Sequence, residues 1–162
     1  MSAGAVLIGL GNIAQTDDGI GVHAIRRYGR THTVASQVDV IEGGTAGLLL
    51  IPALADAECA IIVDAIDLGA TPGTFVRLPG AAWTTAFAQR LSPHDTGLTD
   101  LLGAALLTDA LPRELVLMGL QPGWIGWGTE LTPPVATGLP VLVDAIADQL
   151  ADWGFPALEA AA

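Results

Sequence analysis

The sequence predicts a three-layer α/β sandwich: a twisted, mostly parallel sheet of about five strands, with one antiparallel edge strand and helices on both faces. Short apolar runs bounded by turn residues alternate along the chain with segments of helical periodicity, a pattern typical of strands joined by crossover helices. Hydrophobic residues make up 51% of the 162 residues, which is enough to fill one core. We therefore expect a single domain over residues 1–162, with a frayed tail after about residue 156.

Five short apolar runs predict the strands. They cover residues 6–9, 38–41, 59–63, 74–78 and 115–118. The connection before the fourth strand is too short to contain a crossover helix, so this strand is expected to be antiparallel and to lie at an edge of the sheet. The first strand is expected to lie between the second and the third, which places a change of winding direction beside it.

Helical periodicity predicts four helices. The first helix begins after Gly19, and the other three cover residues 46–54, 98–106 and 133–153. Thr45 is a candidate N-cap for the second helix. Pro140 is expected to kink or interrupt the last helix, which Gly154 should end. Residues 80–95 are expected to form a long connection with one helical turn near 83–88.

The charge balance argues against several classes of partner. Six basic residues against seventeen acidic ones give a net charge of −11. We expect no nucleic-acid partner and no anionic membrane surface, because both are bound through Lys and Arg.

The single cysteine, Cys59, excludes an internal disulfide and is expected to be a small buried apolar residue. No targeting or membrane-spanning segment is visible, so we expect a cytoplasmic protein, and nothing in the sequence requires more than a monomer.

Three potential metal ligands are expected to converge at the carboxyl edge of the sheet. Asp18 follows the first strand, Asp64 ends the third, and His94 lies in the long connection. Open α/β sheets bind ligands beyond the carboxyl ends of their strands, and two carboxylates with an imidazole suit a divalent metal ion. Plainer interpretations stay open: Asp17 or Asp18 would complement the dipole of the following helix, and a loop histidine is commonly only solvated.

A competing motif runs over Gly9-Leu10-Gly11-Asn12-Ile13-Ala14. It resembles the dinucleotide fingerprint after a strand, and Glu42 stands where a ribose-binding acid would. Two consecutive carboxylates precede the helix that should receive the pyrophosphate and would repel it, so dinucleotide binding is the weaker hypothesis. His23 and His32 are interpreted as helix-surface or cap residues. Neither G-x-S-x-G nor H-E-x-x-H occurs in the sequence, so a hydrolase with this sequence would not be a common serine or zinc type.

Five motifs occur in a specific order along the chain. They are Gly9-x-Gly11-Asn12 with Asp17-Asp18-Gly19-x-Gly21, Gly43-Gly44-Thr45-x-Gly47, Val63-Asp64-Ala65, Pro72-Gly73-Thr74 and Ser92-Pro93-His94-x-x-Gly97-Leu98. Each motif is modest alone, but the ordered series resembles the maturation endopeptidases of nickel–iron hydrogenases. The resemblance covers about residues 6–154.

The resemblance implies a reaction and a set of site residues. In that family the enzyme removes a C-terminal extension from the hydrogenase large-subunit precursor after nickel has been inserted. The family's metal-binding positions correspond to Asp18, Asp64 and His94, which are also the expected catalytic residues, with no attacking nucleophile assigned. The nickel is expected to belong to the substrate, and no organic cofactor is expected. A non-catalytic chaperone that checks the metal loading of the same precursor is the alternative.

Two positions depart from the family pattern. The first ligand is often Glu, and here it is Asp18 beside Asp17, so the choice between the two aspartates stays open. Glu42 stands where the family often has Asp, and it is expected to keep a carboxylate at the wall of the crevice. The backbone around Gly43, Gly44 and Thr45 is expected to help dock the extended tail.

Overall fold

The computed structural model describes residues 4–88 and 96–159. Its strands are β1 (Ala5–Leu10), β2 (His32–Thr33), β3 (Val38–Gly44), β4 (Cys59–Ala65), β5 (Phe75–Pro79), β6 (Glu114–Leu120) and β7 (Leu158–Glu159). Its helices are α1 (Ile20–Thr31), α2 (Ile51–Ala55), α3 (Ala82–Ala88), α4 (Thr96–Leu107) and α5 (Pro133–Asp152).

The main sheet contains five strands in the order β3-β1-β4-β6-β5. Neighbouring strands from β3 to β6 are parallel, whereas β5 is antiparallel to β6. This confirms the predicted fold class, the position of the first strand between the second and third, and the antiparallel edge strand. The edge strand pairs with β6, which follows it in the chain, and not with β4, which precedes it.

The sheet separates two apolar cores. Along β1, Ala5 and Leu7 face one core, while Val6, Ile8 and Leu10 face the other, because successive side chains of a strand point to opposite faces. Helices α1 and α5 cover the first face, and α2, α3 and α4 cover the second. Burial on both faces explains why the three central strands, β1, β4 and β6, are nearly continuous apolar runs. No helix within residues 4–88 and 96–159 has both the length and the apolar character of a membrane span.

The single thiol is part of a core. Cys59 is the first residue of β4 and is buried, as the sequence predicts. Burial raises the pKa of its thiol, because the apolar surroundings disfavour the thiolate. Asp64 lies at the opposite, carboxyl end of the same strand, so the thiol lies away from that carboxylate.

Helix α1 lies directly on the sheet because glycines occupy the points of contact. A Cβ atom on Gly21 would lie 2.1 Å from the carbonyl oxygen of Val63 and 2.3 Å from that of Leu10. A Cβ atom on Gly9 would lie 2.4 Å from the carbonyl oxygen of Gly21. A side chain at either glycine would push the helix off the sheet, and the 3₁₀ turn Thr16–Gly19 that precedes the helix would move with it.

The second predicted helix is shorter than expected. Gly47–Leu50 form a 3₁₀ turn, and α2 covers only Ile51–Ala55. The prediction that Thr45 is an N-cap is wrong, because the residue before the turn is Ala46 and no side-chain cap is formed. The φ of Gly47 is +51°, a left-handed conformation that a regular helix cannot contain.

Helix α5 continues through Pro140 without the interruption that the sequence allows. Proline inside a helix removes one backbone hydrogen bond and costs about 3 kcal/mol. Val135 and Leu142, on either side of it, are fully buried, and burial of such side chains stabilises by about 1.5–3 kcal/mol each. Packing therefore offsets the lost hydrogen bond. Gly154, with φ of +87°, follows the helix end as predicted.

Two further segments are more ordered than the sequence predicts. The connection after β5 contains the two-turn helix α3, whose Trp83 and Phe87 are buried. Beyond Pro156 the chain is paired rather than frayed at β7, which forms an antiparallel ladder with β2. Tyr28 stacks on His32 of β2, with ring centroids 4.7 Å apart, so the ladder lies beside a buried ring at the end of α1.

Replacing either of two glycines in α1 by alanine is expected to change stability in opposite directions. Gly21→Ala should lower the melting temperature by about 6–12 °C, because its Cβ meets backbone atoms and overpacking costs about 3 kcal/mol. Gly29→Ala should raise it by about 1–4 °C, because nothing lies within 4 Å of its Cβ and alanine favours a helix by about 0.5–1 kcal/mol. Differential scanning calorimetry measures both shifts, and equal shifts would contradict the close contact at Gly21.

Candidate functional site

A cavity of about 290 Å³ lies at the carboxyl edge of the sheet, beyond the ends of β1 and β4. Its lining residues are Leu10, Gly11, Asn12, Gln15, Asp18, Gly44, Thr45, Gly47, Asp64, Gly97 and Leu98. The structure thus brings Asp18 and Asp64, two of the three predicted ligands, to one cavity. In the sheet, β1 has β3 as its neighbour on one side and β4 on the other, so the winding direction changes beside β1. The cavity therefore lies where open sheets bind ligands.

Gly11 allows the two carboxylates to share this cavity. Its φ is +110°, a conformation that side chains rarely adopt. A Cβ atom on Gly11 would lie 1.7 Å from the carbonyl oxygen of Asp18 and 3.5 Å from Oδ1 of Asp64. Any side chain here would displace the backbone at Asp18 and fill the space beside Asp64.

Each of the two carboxylates receives a backbone hydrogen bond that fixes its direction. The N–H of Asn12 donates to Oδ2 of Asp18 over 2.9 Å. The N–H of Ala65 donates to Oδ1 of Asp64 over 2.8 Å. Both side chains are half-buried, so their oxygens are oriented by the protein and still border the open cavity. Carboxylate oxygens in this arrangement can bind a divalent cation or accept a proton from water.

Asp17 has a structural role, in contrast to its neighbour. Its side chain is fully buried. Oδ2 accepts hydrogen bonds from the N–H groups of Gly123 and Trp124 and from the hydroxyl of Thr132, over 2.7–3.0 Å. Oδ1 accepts the N–H of Thr132 over 2.7 Å. Because Asp17 is used in this way and does not line the cavity, Asp18 is the better ligand candidate of the two.

The backbone before the two aspartates is in a rare conformation. Thr16 has φ of +46°, which is unusual for a β-branched residue. Its N–H donates to the carbonyl of Gly128 over 2.7 Å, and its hydroxyl donates to the carbonyl of Trp124 over 2.7 Å. The loop after β6 therefore holds this turn in place.

Sequence reasoning did not identify the loop between β6 and α5 as part of the site. Its contacts with Thr16 and Asp17 bridge sequence separations of 106 to 115 residues. Such long-range contacts leave no local periodicity. Trp124 and Trp127 in this loop are 57% and 83% exposed, and two tryptophans soon after an apolar strand are a signal that marks the loop as unusual.

The three histidines that the sequence analysis considered are His94, His23 and His32. His94 lies outside the described residues. Gly97 and Leu98, which follow it by three and four residues, line the cavity. His23 is half-buried on α1, and its Nε2 has no hydrogen-bond partner among the described residues. His32 caps the C-terminus of α1, as predicted.

Within residues 4–88 and 96–159, no three side chains of His, Cys, Asp or Glu form a group that would hold a metal ion. The two carboxylates at the cavity therefore do not make a complete metal site from the described residues. Their chemistry still fits a cation that brings some of its own ligands, since hard divalent ions accept carboxylate oxygens together with other donors.

The dinucleotide hypothesis loses its geometric basis. The N–H of Asn12, in the glycine-rich turn, donates to the carboxylate of Asp18, so a donor that would bind a phosphate is already used by an anion. Glu42, the expected ribose-binding acid, forms an ion pair with Arg26 instead, at 2.8 Å. The hydrogen bond from Arg26 lowers the pKa of Glu42.

Comparisons with known proteins agree with one another. The family model described as hydrogenase maturation protease matches residues 22–149. The chain is 38% identical over 152 residues to the hydrogenase expression/formation protein HupD of Bradyrhizobium diazoefficiens. This alignment covers 92% of this chain and 79% of HupD. The chain is 31% identical over 154 residues to the hydrogenase 2 maturation protease of Escherichia coli, covering 94% of both.

Solved structures give the same result. The hydrogenase maturating endopeptidase HybD from E. coli superposes with a TM-score of 0.87 at 31% identity, covering 96% of both chains. The [NiFe] hydrogenase maturation protease HybD from Thermococcus kodakarensis superposes with a TM-score of 0.73 at 29% identity, covering 91% of this chain and 98% of that one.

Removing the two adjacent carboxylates is expected to have different effects on stability. Asp17→Ala removes a fully buried carboxylate and the hydrogen bonds that it accepts from three N–H groups and one hydroxyl, and it should lower the free energy of unfolding by at least about 3 kcal/mol. Asp18→Ala removes one hydrogen bond to a half-buried side chain and should cost about 1 kcal/mol or less. Urea unfolding followed by tryptophan fluorescence measures both, and equal losses would contradict the assignment of separate roles.

Proposed function

The chain belongs to the hydrogenase maturation protease family, and on this premise we propose that it removes the C-terminal extension of a nickel–iron hydrogenase large-subunit precursor after nickel has been bound. The observation that carries the proposal is the convergence of Asp18, from the 3₁₀ turn before α1, and Asp64, from the end of β4, on one open cavity. A peptide segment of the precursor can reach such a cavity, whereas it could not reach a closed one.

In this proposal the nickel is part of the substrate and the cavity recognises it. Asp18 and Asp64 offer oxygen ligands, and His94 offers an imidazole nitrogen, which is a suitable donor for nickel. Three protein ligands leave coordination positions for the precursor's own groups. Support for His94 comes from the chain itself, because Gly97 and Leu98, shortly after it, line the cavity.

The reaction is the hydrolysis of one peptide bond. A divalent ion near the scissile carbonyl would polarise it. A carboxylate of the site takes a proton from water as the water oxygen attacks the carbonyl carbon. When the carbon–nitrogen bond breaks, that proton passes to the leaving amine. Asp18 and Asp64 border the open cavity and are oriented by backbone N–H groups, which suits either of them for this proton transfer.

Substituting the three site residues should abolish processing while the fold persists. Asp18→Ala, Asp64→Ala and His94→Ala should each slow cleavage of the nickel-loaded precursor by at least about 100-fold, more than the loss usually seen for residues that only support a ligand. Asp144→Ala is the matched control, because Asp144 is an exposed aspartate on α5 away from the cavity. Mass spectrometry of the precursor measures the loss of its C-terminal segment.

Undiminished cleavage by the Asp18→Ala and His94→Ala proteins would contradict the site assignment. Tight binding of the precursor with no cleavage by the unmodified protein would instead favour the role of a metal-checking chaperone.

Removing nickel from the substrate should prevent the reaction. A precursor prepared without nickel is expected to remain uncleaved, because the carboxylates then lack the cation that positions the scissile bond. Adding nickel to this precursor should restore processing, whereas adding magnesium, which binds imidazole poorly, should not. The same mass measurement follows both reactions. Equal cleavage with and without nickel would show that the metal is not what the cavity recognises.

A further inference from the structure

A second, shallower cavity of about 180 Å³ lies beside the first. The two cavities share four lining residues, Gly11, Asn12, Gly44 and Thr45, so they form one continuous depression. The Asp18–Asp64 cavity is one end of it. Arg26 and Glu42 lie at the other.

Arg26 is oriented by Glu42 and retains a free edge. Its Nε donates to Oε1 of Glu42 over 2.9 Å, and its Nη2 donates to Oε2 over 2.8 Å. This pairing uses one side of the planar guanidinium. The edge formed by Nη1 and the second hydrogen of Nη2 makes no hydrogen bond with the described residues. That edge is the one by which a guanidinium binds a carboxylate through two parallel hydrogen bonds.

Among the described residues that line the second cavity, Arg26 is the one basic side chain and Glu42 the one acidic side chain. The two form an ion pair at 2.8 Å, so this end of the depression offers an anion the free edge of Arg26 and not a net positive charge. Asp39 lies on the opposite face of β3, because three positions separate it from Glu42 and side chains alternate along a strand.

The remaining walls suit an extended peptide. Ile13 and Val22 give the second cavity an apolar side, and Gly11 and Gly44 present backbone without side chains between the two cavities. A peptide crossing these glycines can approach the backbone closely, as extended substrates do.

We propose that this second cavity is a subsite of the protease in which the free edge of Arg26 binds a carboxylate of the precursor segment being cleaved. The proposal rests on the proposed function and adds a specificity-determining residue to it. The carboxylate belongs either to an acidic side chain near the scissile bond or to the C-terminus of the extension. Either group would present a carboxylate to Arg26, and substrates that lack one or the other carboxylate distinguish them.

The first test compares variants of two arginines on the same helix. Arg26→Ala should raise KM for the nickel-loaded precursor about 2- to 5-fold with kcat nearly unchanged, the size expected for an exposed ion pair. Arg26→Lys, which keeps the charge but loses the two parallel hydrogen bonds, should give an intermediate KM. Arg30→Ala removes the same charge from an exposed position that lines neither cavity, and it should leave KM nearly unchanged. The KM difference should shrink in 1 M salt, where charges are screened beyond about 3 Å.

The second test changes the substrate. One precursor has its C-terminal carboxylate amidated, and another has the acidic side chains near the scissile bond replaced by their amides. One of these changes should raise KM for the unmodified protein by about the same factor as Arg26→Ala, and it should have no further effect on the Arg26→Ala protein.

The failures of the two proposals can be told apart. If the unmodified protein does not cleave the nickel-loaded precursor at all, the proposed function fails. If it cleaves, but Arg26→Ala and Arg30→Ala have equal KM values, the function stands and the subsite is overturned. The subsite is likewise overturned if neither substrate change raises KM.

Discussion

The hydrogen bonds of the buried Asp17 carboxylate are the contact on which the functional edge of the sheet depends. They connect the turn before α1 to the loop before α5. The bonded residue of that loop that is nearest in the chain, Gly123, is 106 positions after Asp17. Backbone N–H groups of that loop find their acceptor here and nowhere else among their described hydrogen bonds. Because Asp18 is the next residue, the same contact determines where its side chain enters the cavity.

Adjacent aspartates have opposite environments because the backbone turns sharply just before them. A left-handed Thr16 costs about 1–3 kcal/mol. Its two hydrogen bonds to the loop after β6, with a net worth of about 1 kcal/mol each, offset a large part of that cost. The docked loop therefore stabilises this conformation of Thr16. Strain of this kind beside a cavity is common where side-chain direction has to be exact, and here it separates a structural carboxylate from one that borders the cavity.

The sequence determines the sheet more fully than the site, because the two depend on contacts of different range. Strand positions, sheet order and the antiparallel edge follow from apolar runs and connection lengths, which are local. The choice between Asp17 and Asp18 depends on partners such as Thr132, which no local pattern indicates. The pairing of Arg26 with Glu42 likewise depends on α1 lying across β3. The prediction of an N-cap at Thr45 is wrong because Gly47, two positions later, has a left-handed φ, which a regular helix cannot contain. The α-helix therefore begins only at Ile51.

The continuity of the two cavities limits how each can contribute to recognition. An exposed arginine–carboxylate contact is worth about 1 kcal/mol or less, a factor of about 5 in affinity. Such a factor cannot by itself separate one precursor from the many acidic segments in a cell. In the proposed function, selection therefore comes mainly from the Asp18–Asp64 cavity, where a cation would meet two oriented carboxylates. In the proposed subsite, Arg26 acts on a segment already brought close, at a high effective concentration, so that a weak contact is enough to set its register.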